Sequence, residues 1–140
     1  MTVKIAGFLS GRLDEKEAIA QAATAGPWHI PEHDPLFYCV DSSDGSGRIC
    51  KFGDRSCGDD VNNSLHIVRH DPARVLRDIA AKRVVLAEYA AFREVMDEQQ
   101  AAGEQTGAGV SSGARLLEHL IRVFAAVDCD HPDYDRRWRP

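Results

Sequence analysis

The sequence predicts an α+β fold that is predominantly helical, with one long central helix and with N- and C-terminal helices packed over a short antiparallel β-hairpin. Apolar residues recur at three- and four-residue steps in several stretches, as they do in amphipathic helices. Two β-prone runs, at 36–40 and 48–52, flank a segment rich in Asp, Ser and Gly. At 140 residues the chain has the length of one domain, so we expect a single core.

The same patterns give the expected order of elements. We predict a helix over 1–25, a β-hairpin over 28–53, a short helix over 59–70, a long helix over 72–100, a flexible linker over 101–113, a helix over 114–128 and a tail over 129–140. The first helix is indicated by a run of apolar residues at helical spacing, namely Ile5, Phe8, Leu9, Leu13 and Ile19. Gly26 and Pro27 end it, because Pro cannot continue the hydrogen-bond ladder.

The predicted hairpin has its turn in the Asp-, Ser- and Gly-rich segment 41–47, with a third short strand near 28–30. Two strands alone are marginally stable in water, so one face of the hairpin should lie on a helix. Cys39 and Cys50 could face each other across it as small buried side chains.

The long helix is predicted to begin with Asp71 as its N-cap and Pro72 at its first position, where a missing N–H costs nothing. One of its apolar stripes contains Val75, Ile79, Leu86 and Ala90. Further apolar residues point elsewhere, namely Val84, Val85, Phe92, Val95 and Met96. Such a helix is packed on two sides, either by its own chain or across a dimer interface.

The C-terminal part is predicted to hold a Gly-, Ala- and Ser-rich linker and then the last helix. The helix should return to the long helix through one apolar face, made of Leu117, Leu120, Ile121, Phe124 and Val127. Tyr134 and Trp138 are four residues apart in the tail, so one helical turn would bring both rings to one side.

Composition limits the classes of function. The formal net charge of −5 argues against binding of the nucleic-acid backbone, which requires clustered Lys and Arg. We see no secretory signal and no apolar run long enough to span a membrane, so we expect a cytoplasmic protein. Its four cysteines are then expected to be reduced thiols or ligands rather than disulfides.

A metal site is one hypothesis for function. His66 and His70 have the i, i+4 spacing that places two imidazoles on one helix face and suits zinc. Cys129 and His131 could complete the ligands. Ile67 stands where a metalloprotease of this helix type carries its Glu base, so hydrolysis by that route is not supported. The alternative is that both histidines are ordinary residues near a helix end, where the dipole favours a cation.

Other catalytic arrangements are weaker. Cys57 with His66, or Cys129 with His131, could form a nucleophilic pair, but no orienting third residue or oxyanion hole is indicated. Neither a C-x-x-C pair nor a phosphate-binding loop occurs in the sequence. These observations disfavour an enzyme, and no catalytic or cofactor-binding residue is predicted.

Protein binding is the leading hypothesis, because the long helix carries more apolar surface than one neighbour would cover. The predicted partner contacts are Trp28, Phe92, Met96, Tyr134 and Trp138. Packing within the chain is the alternative for the aromatic residues among them. We therefore expect a non-catalytic interaction module that forms a homodimer or binds a protein partner, with a zinc-binding protein or metal-dependent enzyme as the alternative.

Several motifs resemble a known family. They are TAGPW at 24–28, HIVRHDPARVL at 66–76, AKR at 81–83, and HPDY at 131–134 with Trp138. Together they are similar to domain-of-unknown-function family 6221 of actinobacteria and their phages. The Gly-Pro-Trp entry to a hairpin also resembles phage early proteins of the Ead/Ea22 type.

These resemblances imply an accessory protein of phage or mobile-element origin, and no particular activity. Members of the first family often carry a cysteine cluster between the long helix and the last one. The segment 101–113 has none here, which leaves only His66, His70, Cys129 and His131 as candidate ligands.

Overall fold

The computed structural model describes residues 2–32, 37–54 and 58–140. Over these residues the chain is 67% helical, with four α-helices and a three-stranded antiparallel sheet, which confirms the predicted fold class. The elements in chain order are α1 (Thr2–Ala22), β1 (Trp28–His29), β2 (Phe37–Ser42), β3 (Arg48–Asp54), α2 (Gly58–Arg69), α3 (Pro72–Ala101) and α4 (Ala108–Ala125), followed by two 3₁₀ turns, Ala126–Asp128 and Arg136–Trp138.

The contacts of the chain divide it into two compact units. One, which we call the helical unit, consists of Met1–Glu15 and Ala80–Pro140. The other, the mixed unit, consists of Lys16–Ile79 and contains the sheet and α2. Helices α1 and α3 each contribute residues to both. The expectation of one core for the whole chain stays a prediction.

The helical unit has an apolar core. It is built from Ile5, Leu9, Leu13, Tyr89, Ala114, Ile121, Ala125, Tyr134 and Trp138, all of which are buried. Helix α3 ends in a Schellman turn, in which the N–H groups of Gly103 and Glu104 donate to the carbonyls of Gln100 and Gln99. Gly103 has φ of 70°, a conformation that glycine adopts without strain.

Helix α4 begins at Ala108, so the predicted linker over 101–113 is too long and the predicted helix start at 114 is wrong. Packing explains the early start. A Cβ on Gly113 would lie 2.6 Å from the Phe92 ring, so α4 lies close against α3 at this glycine. The sequence pattern of Gly and Ser indicated a loop, whereas this close contact holds the segment in a helix.

The mixed unit contains the sheet, in the order β1-β2-β3. The third strand near Trp28 is present and pairs with β2, with Trp28 opposite Ser42. Strand β2 is irregular, so that Val40 lies opposite Cys50, and Cys39 lies opposite Lys51. The expected facing of Cys39 and Cys50 is therefore wrong. Helix α2 packs on β2 and β3, as expected for a hairpin that needs a covered face.

Two expected core positions in the helices are instead on the surface. The Ile19 residue in α1 is 72% exposed, while its neighbour Ala20 is buried. Val127 is 67% exposed, because the chain has left α4 for a 3₁₀ turn at Ala126. Among the described residues, no helix is long and apolar enough to cross a membrane.

Candidate functional site

Asp71 connects two of the sequence motifs within the mixed unit. Its Oδ1 accepts a hydrogen bond of 2.6 Å from the N–H of Arg74. Asp71 thus makes the N-cap contact that was predicted for the start of α3. Its Oδ2 accepts from the N–H of Trp28 at 3.3 Å. A Cβ on Gly26 would lie 3.1 Å from the Asp71 carboxyl carbon, so the Gly-Pro-Trp segment needs glycine to reach this carboxylate. The two motifs are therefore adjacent for a structural reason.

Trp28, a predicted partner contact, is half-buried beside this joint. Its indole N–H donates to the Thr24 carbonyl at 3.0 Å. The ring contributes to a cavity of about 240 Å³ together with residues such as Ile19 and Val75. This small apolar hollow leaves one edge of the indole accessible.

His66 and His70 lie side by side on the exposed surface of the mixed unit. Their ring centroids are 4.2 Å apart and the rings are tilted by 34°. The Nδ1 of His70 lies 2.8 Å from the His66 carbonyl oxygen. Because a carbonyl can only accept, Nδ1 donates the proton of this hydrogen bond, and Nε2 is the ring nitrogen that remains for another contact. The predicted i, i+4 pairing is thus realised in the geometry.

The other two predicted ligands belong to the helical unit. Cys129 is exposed. The His131 ring lies edge to face with Phe8, with centroids 5.7 Å apart, and its Nδ1 accepts from the Asp133 N–H at 3.1 Å. Within the described part of the chain, no group of three or more His, Cys, Asp or Glu side chains is placed to hold a metal ion. A site with all four predicted ligands stays a prediction.

Tyr134 and Trp138, two further predicted partner contacts, are packed inside the helical unit. They are 8% and 6% exposed, and their rings meet at 88°. Both rings contact Phe8, with centroid distances of 5.8 and 5.3 Å. Their single-turn arrangement agrees with the i, i+4 expectation, and their burial agrees with the alternative of packing within the chain.

The tail that carries these rings is also fixed by a short polar turn. The Asp135 side chain accepts from the N–H of Arg137 at 3.0 Å and forms an ion pair with its guanidinium. These contacts with Arg137 lower the pKa of Asp135 to about 2. The carboxylate therefore caps the last 3₁₀ turn at every pH near neutrality.

Helices α3 and α4 are antiparallel neighbours in the helical unit. Near the end of α3, Phe92 contacts Gly113. Nearer its middle, the Lys82 ammonium lies 5.7 Å from the centroid of the Phe124 ring, in a cation–π contact. These two contacts set a register in which Val84 lies level with Ile121.

An apolar face flanks this helix pair on the side opposite the buried residues. On α4, Leu116, Leu120 and Val123 follow one another at steps of four and three residues, and Val127, in the 3₁₀ turn after α4, follows four residues later. Leu116 is 62% exposed and Val123 is 40% exposed. On α3 the corresponding line runs through Val84, Ala91 and Val95, with Val84 61% exposed. We call this surface, made of Val84, Ala91, Val95, Leu116, Leu120, Val123 and Val127, the outer face.

Phe92 and Met96, the remaining predicted partner contacts, lie at the edge of the outer face. Both are half-buried. Phe92 lines a shallow hollow of about 170 Å³ that also includes Val95 and Val110, so its ring is covered by α4 on one side and open on the other. These two residues therefore join the core to the outer face.

Charged side chains border the outer face with opposite signs on its two helices. Glu88 lies on the α3 line, between Val84 and Ala91, and is exposed. Arg115 and His119 are exposed one turn apart along α4. A carboxylate therefore lies beside the aliphatic line of α3, and a guanidinium lies beside that of α4.

The four-three-four spacing from Leu116 to Val127 was the one sequence signal for the outer face that the sequence analysis missed. The predicted apolar face instead combined Leu120 and Val127 with Ile121 and Phe124 on a single side of the helix, directed at α3. Helical geometry separates them, because successive residues are about 100° apart around the axis. The buried residues of α4 are Ala114, Ile121 and Ala125, whereas Leu120 and Phe124 are half-buried.

The fold and this surface together define a mostly helical α+β protein with an uncovered aliphatic face. The chain belongs to a family of unknown function, DUF6221, which matches residues 2–140. Comparison with curated proteins and with solved structures finds no match.

Proposed function

We propose that this protein is a non-catalytic interaction module that forms a homodimer through the outer face of its helical unit. The observation that carries the proposal is the line of aliphatic side chains along α4 and the turn after it, in which Leu116, Val123 and Val127 are exposed and Leu120 is half-buried. Single exposed apolar residues are ordinary on a protein surface, whereas a contiguous patch is typical of an interaction site.

The gain from covering this face is large enough to support an association. Fully burying one Val or Leu side chain is worth about 1.5–3 kcal/mol. Leu116, Val123 and Val127 are exposed by 62%, 40% and 67%, so each would contribute part of that amount in each subunit. The spacing of four, three and four residues is also the one by which two helices pack side by side.

The charges favour a second copy of the chain as the occupant. In a two-fold dimer each contact is made twice, once in each direction. If α3 of one subunit lies along α4 of the other, Glu88 meets the Arg115 edge, and the reverse pairing follows by symmetry. Like charges would then be separated rather than opposed.

Sedimentation or size-exclusion chromatography with light scattering tests this proposal directly. We expect a dimer for the natural chain and a monomer for the double variant Val123→Glu/Val127→Glu. The matched control is Ile19→Glu, since Ile19 is 72% exposed but lies in the mixed unit, outside the outer face. A strictly monomeric natural chain, or equal dissociation by the control, would contradict the proposal.

The biological setting belongs to the same proposal. On the motif resemblance to proteins of actinobacteria and their phages, we infer an accessory protein of mobile-element origin that acts in the cytoplasm. Fractionation of a host that expresses the chain under its own promoter tests the location. Recovery in the membrane or in the culture medium would contradict it.

A second candidate function is zinc binding at His66 and His70. The sequence-based hypothesis adds Cys129 and His131 as further ligands. The supporting observation is the bond from His70 Nδ1 to the His66 carbonyl at 2.8 Å. Histidines that ligate metals characteristically donate their other ring N–H in this way, which fixes the ring and its tautomer. Two imidazoles leave coordination positions for water or for ligands from another molecule.

Calorimetric titration of the chain, purified without an affinity tag, with zinc chloride tests this candidate. We expect stoichiometric binding that is lost in His66→Ala/His70→Ala and kept in the control His29→Ala/His119→Ala, whose histidines are also exposed. The variant Cys129→Ser separates a two-ligand site from a larger one. Unchanged binding in the first variant would rule out this site.

A further inference from the structure

The helical unit has a second concave surface, between α1 and α3. It is a groove of about 860 Å³. Its lining from α1 is Ala6, Gly7 and Ser10, and its lining from α3 is Leu86, Tyr89, Ala90, Arg93, Glu94, Asp97, Glu98 and Ala101. We call it the α1–α3 groove. The α1–α3 groove shares no residue with the outer face.

Small residues make the α1 wall of this groove unusually smooth. A Cβ built on Gly7 would meet no atom within 4 Å, and the same is true of Gly11 one turn later. Ala90 on the α3 side is exposed. A backbone can approach closely where side chains are this short, as it does where helices pack through small residues. Leu86 and Tyr89 supply the apolar floor.

The α3 wall of the groove is long enough for a helix to lie along it, and the α1 wall, from Ala6 to Ser10, adds about one turn beside it. The α3 wall extends from Leu86 to Ala101, which at 1.5 Å per residue is roughly 22 Å, or about four helical turns. The apolar part of this wall lies in its first turn, at Leu86, Tyr89 and Ala90, and the charged residues follow from Arg93 to Glu98. An apolar patch followed by charges suits an amphipathic helix that has its anchors at one end and its charges along the other.

The rim of the groove is acidic. Among the lining residues that the structure describes, Arg93 is the one cation, and it forms a salt bridge of 3.4 Å with Asp97. Glu94 and Glu98, one turn apart on α3, then leave the rim with two negative charges. A second copy of this chain carries a net charge of −5 and does not complement such a rim. A basic partner does.

We propose that the α1–α3 groove binds an amphipathic helix of a partner protein, with an apolar stripe against Leu86, Tyr89 and Ala90 and with Lys or Arg on its flanks beside Glu94 and Glu98. The proposed dimer would leave this groove open. Each subunit of the dimer would then present one α1–α3 groove to a partner helix.

Fluorescence anisotropy with designed peptides tests this inference. The probe is a labelled helical peptide of roughly fifteen residues, with leucines at three- and four-residue steps and lysines on both sides of them. A second peptide keeps the leucines and replaces every lysine with glutamate. We expect saturable binding of the basic peptide in the micromolar range, weakened by salt, and no binding of the acidic one.

Two pairs of variants locate the site. Ala90→Phe places a ring in the groove, and we expect it to weaken binding at least about tenfold. Its control, Ala87→Phe, adds the same ring to α3 outside the lining residues. Glu94→Gln/Glu98→Gln removes the rim charges and should weaken binding about tenfold. Its control, Asp130→Asn/Asp133→Asn, removes two exposed acidic charges outside both the groove and the outer face.

Three outcomes would overturn the proposal. Equal binding of both peptides would show that the rim charges select nothing. Equal effects of Ala90→Phe and Ala87→Phe would place the peptide elsewhere. Loss of binding whenever the chain dimerises would identify a second copy as the occupant. The peptide assay, run also on the monomeric variant Val123→Glu/Val127→Glu, keeps this result separate from that of the proposed homodimer.

Discussion

The helical unit and the mixed unit are each stabilised internally by a different kind of contact. In the helical unit every buried residue that the structure describes is apolar or aromatic. In the mixed unit Ser42, Ser64 and Asp71 are buried as well, and each has hydrogen-bond partners on the backbone. The stability of the helical unit therefore depends on the close packing of apolar side chains. The stability of the mixed unit depends in addition on buried polar groups that hydrogen-bond one chain segment to another.

This difference follows from the local structure of each unit. Long helices satisfy their own backbone hydrogen bonds, so the helical unit needs only complementary side chains. The mixed unit contains turns and short strands whose N–H groups need partners from elsewhere. The Ser42 hydroxyl accepts from the Gly47 N–H at 3.2 Å in the hairpin turn, and Asp71 accepts from Trp28.

The largest effect is expected from removing volume in the helical unit. Trp138 is 6% exposed and contacts both Phe8 and Tyr134. We expect Trp138→Ala to lower the free energy of unfolding by about 3–5 kcal/mol. The indole N–H of Trp138 has no hydrogen-bond partner among the described residues, so Trp138→Phe should cost much less. Urea denaturation of both variants measures this, and equal losses would mean that the indole N–H matters.

In the mixed unit the corresponding experiment removes one polar group. Asp71→Ala deletes the cap of α3 and leaves the Trp28 N–H without its carboxylate, which together should cost about 2 kcal/mol. Asp71→Asn keeps one acceptor oxygen and should recover part of this loss. Thermal unfolding of the three proteins gives the comparison. If Asn were as damaging as Ala, the negative charge rather than the hydrogen bonds would carry the effect.

A smaller effect is expected from adding volume to the helical unit. Gly113→Ala places a methyl group 2.6 Å from the Phe92 ring, and the strain should exceed the gain in helix propensity by about 1 kcal/mol. Gly109→Ala is the matched control, since it lies in the same helix with no atom within 4 Å of the new methyl group. Chemical denaturation should show Gly113→Ala destabilised and Gly109→Ala unchanged or stabilised. The reverse order would refute the packing explanation for the early start of α4.

The smallest effect is expected at the exposed Asp135–Arg137 pair. Arg137 lowers the pKa of Asp135 from its ordinary 3.8 to about 2. A depressed carboxyl pKa contributes stability above the ordinary value, and this contribution is lost as pH falls through about 2. NMR titration of the natural chain should therefore place the midpoint near 2. In Arg137→Gln it should move towards 3.8, and an unmoved midpoint would remove Arg137 as the cause.

Local chemistry made much of the fold predictable. Asp71 and Pro72 mark the start of α3 in the sequence because an N-cap and a first-turn proline act on their immediate neighbours. The hairpin turn and its short third strand were predictable in the same way. The side-by-side arrangement of His66 and His70 follows from helical spacing alone.

Apart from the start of α4, the sequence by itself determined where helices and strands form, because propensities, caps and turns act over a few residues. Only the tertiary structure decided which side of each helix faces the core. Ile19 lies outward while its neighbour Ala20 is buried, and Val127 lies outward because the chain leaves α4 for a 3₁₀ turn after Ala125. Packing within the helical unit holds Tyr134 and Trp138 against Phe8 and leaves the aliphatic line on α4 uncovered. Which residues can bind a partner is thus set by contacts between segments far apart in the chain.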